Sequence, residues 1–453
     1  MRTIRMLSVW VMLVTTGAAC GRDIVSTTPV QPVDVALRSE MSRWGVLPIL
    51  GEAPSSNPEL VALGQALFFD KLLSGNRDVS CATCHHPRSA FSDGLALAVG
   101  TGGIDVGGHR EPGAGRRHVS RNAPSLVNIG LGAFYLFWDG RLTQFGPHVG
   151  PDVADVPVNV GDVLVRQAML PVVNRTEMRG EPGDLDRFGA PNELAAYGDQ
   201  EQGEVRKAIM RRLLAIDGYR AMFSAAFPGI PSAALGFEHA AQAIAAFERH
   251  ALRRTNTPFD RYLARDNGAL SASAKRGAML FFGEAQCGSC HAGPLLGGGT
   301  FANVGAPQVG PGVGGGAPLD RGRGELITQF EGYRFAFRAP PLRNVELTAP
   351  YMHSGAYATL DAVVKHYADV AKAMRAYDVT QLPPVLRSAY HGDEGTIGAI
   401  LQVLDFRVRR QLALTDEQQG DLVEFLRSLT DPAARDLSSL VPHSVPSGLP
   451  IEP

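Results

Sequence analysis

Four of the five cysteines form two pairs, each followed directly by a histidine: Cys81-Ala-Thr-Cys84-His85 and Cys287-Gly-Ser-Cys290-His291. At this spacing both thiols can add to the vinyl groups of one porphyrin, and the histidine behind them can ligate its iron. A thioredoxin-like redox pair needs no histidine after both copies, and a four-cysteine zinc site leaves both histidines without a role. The reading is two covalently attached c-type haems, with Cys81, Cys84, His85, Cys287, Cys290 and His291 as attachment points and proximal ligands. His86, next to the first ligand, reads as a surface residue. No disulfide is expected.

The elements that must carry these loops repeat as well. Gly64-Gln-Ala-Leu-Phe-Phe69 precedes the first pair and Gly277-Ala-Met-Leu-Phe-Phe282 the second, each at the end of an apparent helix. Residues 204–227 and 237–254 show helical apolar spacing, with Pro228-Gly-Ile-Pro231 between them. Thr415-Asp-Glu-Gln418 has the form of a capping box, and Leu422, Val423, Leu426 and Leu429 follow on one helical face. Segments 97–118 and 293–318 are glycine-rich and lack a helical period, so they read as ordered loops. The expected fold class is mainly α: two cytochrome c-like haem domains with long ordered loops and few or no strands. The N-terminal haem domain is expected over 41–262, the C-terminal one over 263–435, and a tail over 436–453.

Composition agrees with a folded chain. The 453 residues are 45% hydrophobic, with 51 glycines and 31 prolines, above the average share of both and in keeping with loops. Lys+Arg number 43 against Asp+Glu 45, a balance that gives no electrostatic footprint for nucleic acid. At the amino terminus Arg2 and Arg5 precede the apolar run Met6 to Val14 and a small-residue stretch ending on Cys20. This is a secretory signal, too short for a membrane span. Residues 1–20 have the form of a lipoprotein signal with Cys20 as the lipid anchor; cleavage after Ala19, leaving a spare thiol, is the alternative. Both export the chain, and the expected location is the periplasm, anchored to a membrane. Residues 21–40, rich in Thr, Pro, Val and Ser, read as a linker.

Beyond the haem motifs, several segments carry a resemblance. They are Arg121-Asn-Ala-Pro-Ser125, Phe137-Trp-Asp-Gly-Arg141, Met169-Leu-Pro-Val-Val-Asn-Arg-Thr-Glu-Met178, and Leu342-Arg-Asn-Val-Glu-Leu-Thr-Ala-Pro-Tyr-Met-His353. Over roughly residues 55 to 435 the chain resembles the bacterial di-haem cytochrome c peroxidases and their MauG-like branch, which oxidises side chains of another protein. The resemblance implies that peroxide reacts at the N-terminal haem, that of His85, while the C-terminal haem, that of His291, stores or passes electrons. It makes Glu177, with Gln167 ten residues before it, the proton-handling pair of the reactive pocket. Taken alone, Glu177 would be a solvated loop carboxylate. Trp138 matches the family's tryptophan between the haems, with core packing as the plainer alternative. Asn122, Thr348 and Pro350 match positions that help to hold a calcium ion, whose shell waters would complete.

The second ligand of the C-terminal haem separates the branches. At the family's spacing from Thr348 stands Tyr367, where the peroxidases have methionine; Met352 and Met374 are out of register. A phenolate favours ferric iron over ferrous, which suits storage of oxidising equivalents. The neighbouring His366 is the alternative ligand. On the first haem an open distal site is expected, with His109 and His118 as the histidines that could close it.

The expected activity is thus an exported di-haem c-type oxidoreductase of peroxidase type. It uses hydrogen peroxide, with electrons from a small donor protein, a cytochrome or cupredoxin. The alternative within the class is MauG-like oxidation of a protein substrate through a bis-ferryl-type state. A non-enzymatic di-haem electron carrier is the alternative from another class.

Overall fold

The computed structural model describes residues 29–49, 56–132, 134–144, 149–150, 156 and 160–452. The signal segment, Cys20 and residues 21–28 lie outside them. The first half contributes α1 (Pro32–Arg43), α2 (Pro58–Phe69), α3 (Cys81–Cys84), α4 (Val163–Ala168), α5 (Gln202–Leu214), α6 (Asp217–Ala226) and α7 (Phe237–Ala251). The second half contributes α8 (Pro258–Leu263), α9 (Ala272–Phe282), α10 (Leu360–Ala368), α11 (Val370–Arg375), α12 (Glu394–Gln402) and α13 (Asp416–Arg427). Strands among the described residues amount to three antiparallel ladders of two residues a side: Gly103–Ile104 with Glu111–Pro112, Tyr135–Leu136 with Leu142–Thr143, and Phe301–Ala302 with Phe337–Arg338. The fold is mainly α, with long ordered loops and few short strands.

Helix starts follow local chemistry. The Asn57 side chain accepts from Glu59 N at 3.0 Å ahead of α2, and Ser271 Oγ accepts from Ala274 N at 3.1 Å ahead of α9. The capping box of α13 forms as expected: Gln418 N donates to Thr415 Oγ1 at 3.2 Å, and Thr415 N to Gln418 Oε1 at 2.9 Å.

The duplication seen in sequence is a duplicated helix crossing. Helix α2 packs on α7 and α9 on α13, and a glycine sits at each point of closest approach. A Cβ on Gly64 would collide with the carbonyl of Ala243, and one on Gly277 with that of Asp421. Around the first crossing Phe68, Phe69, Phe91, Leu213, Phe223 and Phe247 form one core; around the second, Phe259, Tyr262, Phe281, Phe282 and Phe425 form another. Each such ring contributes roughly 1.5–3 kcal/mol by leaving water.

Three expectations need correction. Residues 32–40 of the supposed linker belong to α1, whose Leu37 and Met41 enter the second core, while buried Asp34 pairs with Lys275 at 2.8 Å. Only two apolar side chains carry that docking, too few to show as a period. The supposed tail is no appendage: Leu437, Val445 and Leu449 pack into the first core, and Glu452 pairs with Lys71 at 2.7 Å. Each end of the described chain therefore packs on the opposite half. The single helix expected over 204–227 is two, because Ile216 turns extended (φ −98°, ψ 122°) and α6 restarts at Asp217.

Candidate active site and haem pockets

The two Cys-x-x-Cys-His loops are built alike. Each is one tight turn, with His85 N and His291 N donating to the carbonyls of Cys81 and Cys287, both at 2.9 Å. His85 Nδ1 lies 3.0 Å from the carbonyl of Phe91, and His291 Nδ1 lies 3.0 Å from that of Leu296. Phe91 (φ 56°) and Leu296 (φ 55°) are both left-handed, which turns these carbonyls back onto the rings. Because a carbonyl only accepts, Nδ1 carries the hydrogen and Nε2 keeps the lone pair a metal needs. Burial pushes the His85 pKa down to about 4 and lowers that of His291, so both rings are neutral.

The thiols are equally telling. Burial pushes Cys81 and Cys287 up to about 12 and raises Cys84 and Cys290. Thiols held protonated by burial do not suit a nucleophilic redox pair, which needs a lowered pKa. Among the described residues no group of three or more His, Cys, Asp or Glu is arranged to hold a metal, which removes the four-cysteine zinc alternative.

A cavity of about 550 Å³ opens above the first loop, with Phe68, Cys81, Cys84 and His85 on its wall. Gln167, Pro171 and Glu177 line the same space, as does Trp138. Gln167 comes from α4, and Glu177 from the single π-helical turn Arg175–Arg179, where its N–H donates to Asn174 Oδ1 at 3.1 Å. The Glu177 carbonyl accepts from Thr101 N at 3.0 Å. Gly100 lies so close beneath that a Cβ there would collide with the carbonyls of Thr176 and Glu177. His118 lies on the cavity wall, half-buried, whereas His109 is exposed in the turn Gly107–His109. His86, expected at the surface, is 6% exposed; its Nδ1 accepts from Arg88 N at 3.2 Å and its backbone pairs with Ser92.

Two buried groups facing this cavity carry no local signal in the sequence. Arg338, on the strand Phe337–Arg338 of the second half, gives Nε to the Phe137 carbonyl at 3.1 Å, while its Nη1 is buried without a partner. Burial lowers its pKa only to about 10, so it remains a cation. An unpaired buried guanidinium is costly unless a carboxylate joins it. A c-type haem carries two carboxylates opposite its thioether side, so thiols, histidine and Arg338 fit the group, and Arg338 would hold a propionate. The second group is Glu248 on α7, 3% exposed, with Oε2 unpartnered; burial first, then Asp162, pushes it up to about 8. Ala123-Pro-Ser-Leu-Val-Asn128 and Ala339-Pro-Pro-Leu-Arg-Asn344 are a second internal repeat that begins just past Arg338, with Asn122 in the matching place of the first half, so the repeat does not single out the arginine. The Pro124 and Pro340 carbonyls lie beside the His85 and His291 rings.

At the second loop Tyr367, from α10, is half-buried and close enough to Cys290 and Cys287 for both sulfurs to act on it. Burial, then the two thiols, raises its pKa, so only a cation at its oxygen would favour the phenolate. Its hydroxyl has no hydrogen-bond partner among the described residues. His366 is fully engaged: Nδ1 lies 2.8 Å from the Tyr357 hydroxyl and Nε2 2.8 Å from the Val304 carbonyl. Of the two neighbours, Tyr367 is the one available to a metal.

Trp138 stands where the halves meet. Its Nε1 donates to the Asn122 carbonyl at 2.9 Å and its own carbonyl accepts from Arg338 N at 2.7 Å. Asn122 N reaches the His353 carbonyl at 2.8 Å, which sets Asn122 beside the segment that holds Thr348 and Pro350. Close by, Arg121 spans the halves, with Nε and Nη2 on Asp320 at 2.6 and 2.9 Å and Nη1 on Asp139 at 2.5 Å. Its charge, with that of Arg141, outweighs burial and holds Asp139 below the usual carboxylate range.

Comparison with known proteins follows the same lines. The family described as di-haem cytochrome c peroxidase matches residues 58–268. The chain is 32% identical over 373 residues to methylamine utilization protein MauG of Methylorubrum extorquens, covering 80% of this chain and 85% of that one. It is 32% identical over 330 residues to the cytochrome c551 peroxidase of Pseudomonas aeruginosa, covering 72% and 77%. The crystal structure of a MauG-like protein associated with microbial copper homeostasis superposes with a TM-score of 0.58 at 26% identity, covering 88% of this chain and 97% of that one. With two matching haem loops and these relatives, the chain is an oxidoreductase with two c-type haems and belongs to the di-haem cytochrome c peroxidase family.

Proposed function

We propose that hydrogen peroxide reacts in the cavity above His85 and that the pocket of His291 and Tyr367 supplies and stores the electrons. The observation that carries this is the single cavity shared by Cys81, Cys84, His85, Gln167 and Glu177. Bound there, the haem supplies an iron that accepts peroxide and takes up oxidising equivalents. Glu177 takes the proton from the inner peroxide oxygen and returns it to the departing one, as base and then acid. Gln167 orients the peroxide by hydrogen bonding, and Trp138 carries electrons between the pockets. His118 lies near enough to the cavity to regulate access, while the pocket itself stays open.

Two donors suit such a site: a small cytochrome or cupredoxin, or the side chain of a protein substrate. Tyr367 favours the second, because an anionic oxygen ligand resists reduction of its iron and tolerates stored oxidation. A pure electron carrier leaves the cavity and Glu177 without a purpose. Calcium binds between the halves through Asn122 Oδ1, the carbonyls of Thr348 and Pro350, and waters. The chain is exported to the periplasm by residues 1–20 and held at a membrane through Cys20. Stopped-flow mixing with peroxide tests the core of this reading: Glu177→Gln slows the haem absorbance change by about two to four orders of magnitude. An unchanged rate removes Glu177 from the reaction.

A further inference from the structure

A line of aromatic rings leads from the second haem pocket to the surface. Ring centroids are 5.4 Å apart from Tyr367 to His366, 5.2 Å from His366 to Tyr357, 5.5 Å from Tyr357 to Tyr377, and 4.9 Å from Tyr377 to Tyr390. Every step falls in the contact range of paired rings. The inner end, Tyr367, neighbours the haem thiols; Tyr357 is buried; the outer end, Tyr390, is partly exposed.

The line is also equipped for protons. The Val304 carbonyl beside His366 Nε2 can only accept, so Nε2 carries the hydrogen and Nδ1 the lone pair. The Tyr357 hydroxyl therefore donates to His366 Nδ1 at 2.8 Å. A phenol that loses an electron becomes strongly acidic, and here a base in the correct tautomer already holds its proton. Core packing accounts for buried rings, but it does not call for a tyrosine–imidazole pair in the middle of an unbroken line from thiols to solvent.

We propose that Tyr367, His366, Tyr357, Tyr377 and Tyr390 form a one-electron relay between the second haem pocket and an oxidisable side chain of a protein docked at Tyr390. The relay rests on the proposed function, because peroxide is its oxidant: each peroxide takes two electrons and two protons to become two waters, so the relay turns over twice. In each turn one electron leaves Tyr357 toward the second pocket and its hydroxyl proton moves to His366 Nδ1, leaving a neutral phenoxyl radical. An electron from Tyr390, passed through Tyr377, refills Tyr357 as the proton returns from His366. Tyr390 releases its proton to solvent, and the docked side chain restores Tyr390 by giving one electron while solvent returns the proton.

The test uses the full chain with both haems, mixed with hydrogen peroxide and a nitroso spin trap. Haem absorbance is followed and trap adducts are mapped by peptide mass spectrometry. Wild type should carry adducts on Tyr377 and Tyr390. Tyr357→Phe, which keeps the ring and removes the bond to His366, should lower the Tyr390 adduct by an order of magnitude while the absorbance change persists. Tyr377→Phe breaks the line at a less buried step and should do the same, so the test survives if Tyr357→Phe fails to fold. Equal Tyr390 adducts in wild type and both variants, or no tyrosine adduct beside a full absorbance change, overturns the relay and leaves the proposed function standing. No absorbance change with peroxide overturns the proposed function, and the relay with it.

Discussion

The side-chain amides of Asn128 and Asn344 converge on one backbone carbonyl, that of Arg254, at 2.8 and 3.3 Å. Both asparagines are left-handed, at φ 66° and 65°, and both close the repeated Ala-Pro-x-Leu-x-Asn stretch whose proline carbonyl lies beside His85 or His291. Their own oxygens are also used: Arg254 N donates to Asn128 Oδ1 at 2.7 Å and Asp431 N to Asn344 Oδ1 at 2.9 Å. The duplicated halves are thus pinned at a point just past α7, where the chain crosses from one to the other.

Asn128→Ala should cost roughly 2–4 kcal/mol, from the Arg254 N–H left unpaired, the Arg254 carbonyl left to Asn344 alone, and an alanine forced left-handed. Asn128→Gly should recover about 1 kcal/mol of that, because glycine adopts this φ without strain. Urea unfolding of the three proteins measures both terms. Equal stabilities for the alanine and glycine variants would show that the left-handed backbone is not part of the cost.

Glu248 makes stability depend on pH with a definite sign. Its folded pKa is about 8 against about 4.3 unfolded. Between these values the folded chain keeps a proton that the unfolded chain has released, so stability falls as pH rises, by about 1.4 kcal/mol per unit. Below about 4.3 both states are protonated and the effect vanishes. In Glu248→Gln the decline should be absent, so the variant gains on wild type steadily from pH 5 to 8 in urea titrations. Parallel curves would mean that Glu248 is ionised in the folded protein.

Arg338 separates haem-loaded from haem-free chain. With a propionate at Nη1, Arg338→Met strands a buried carboxylate and should cost about 3–5 kcal/mol. In a Cys81→Ser/Cys84→Ser background, which lacks the first haem, the same change removes an unpaired buried cation and should be neutral or stabilising. Denaturant midpoints of the four proteins give the comparison; the same loss in both backgrounds would detach Arg338 from the haem.

The haem loops are legible in sequence because two thiols and a histidine lie within five residues. The crossing helices are legible too, although Gly64 and Gly277 matter there as much as the phenylalanines beside them. Gln167 and Glu177 stand out only through resemblance, since nothing local marks a carboxylate on a π-helical turn as facing a cavity. Arg338 and Glu248 are invisible for a different reason: each meets the first pocket from a distant part of the chain, and burial alone gives it chemical weight. Helix α1 and the C-terminal segment are hard to read from sequence for the same cause, because each packs on the half farther from it in sequence.

In the proposed function the two haems are inequivalent, with an open reactive site at His85 and a closed one at His291 and Tyr367. Electron paramagnetic resonance of the ferric protein, wild type and Tyr367→Phe, tests it most directly. One high-spin and one low-spin signal are expected in wild type, with the low-spin signal alone altered by the substitution. Two low-spin signals, both unaltered in Tyr367→Phe, would contradict it.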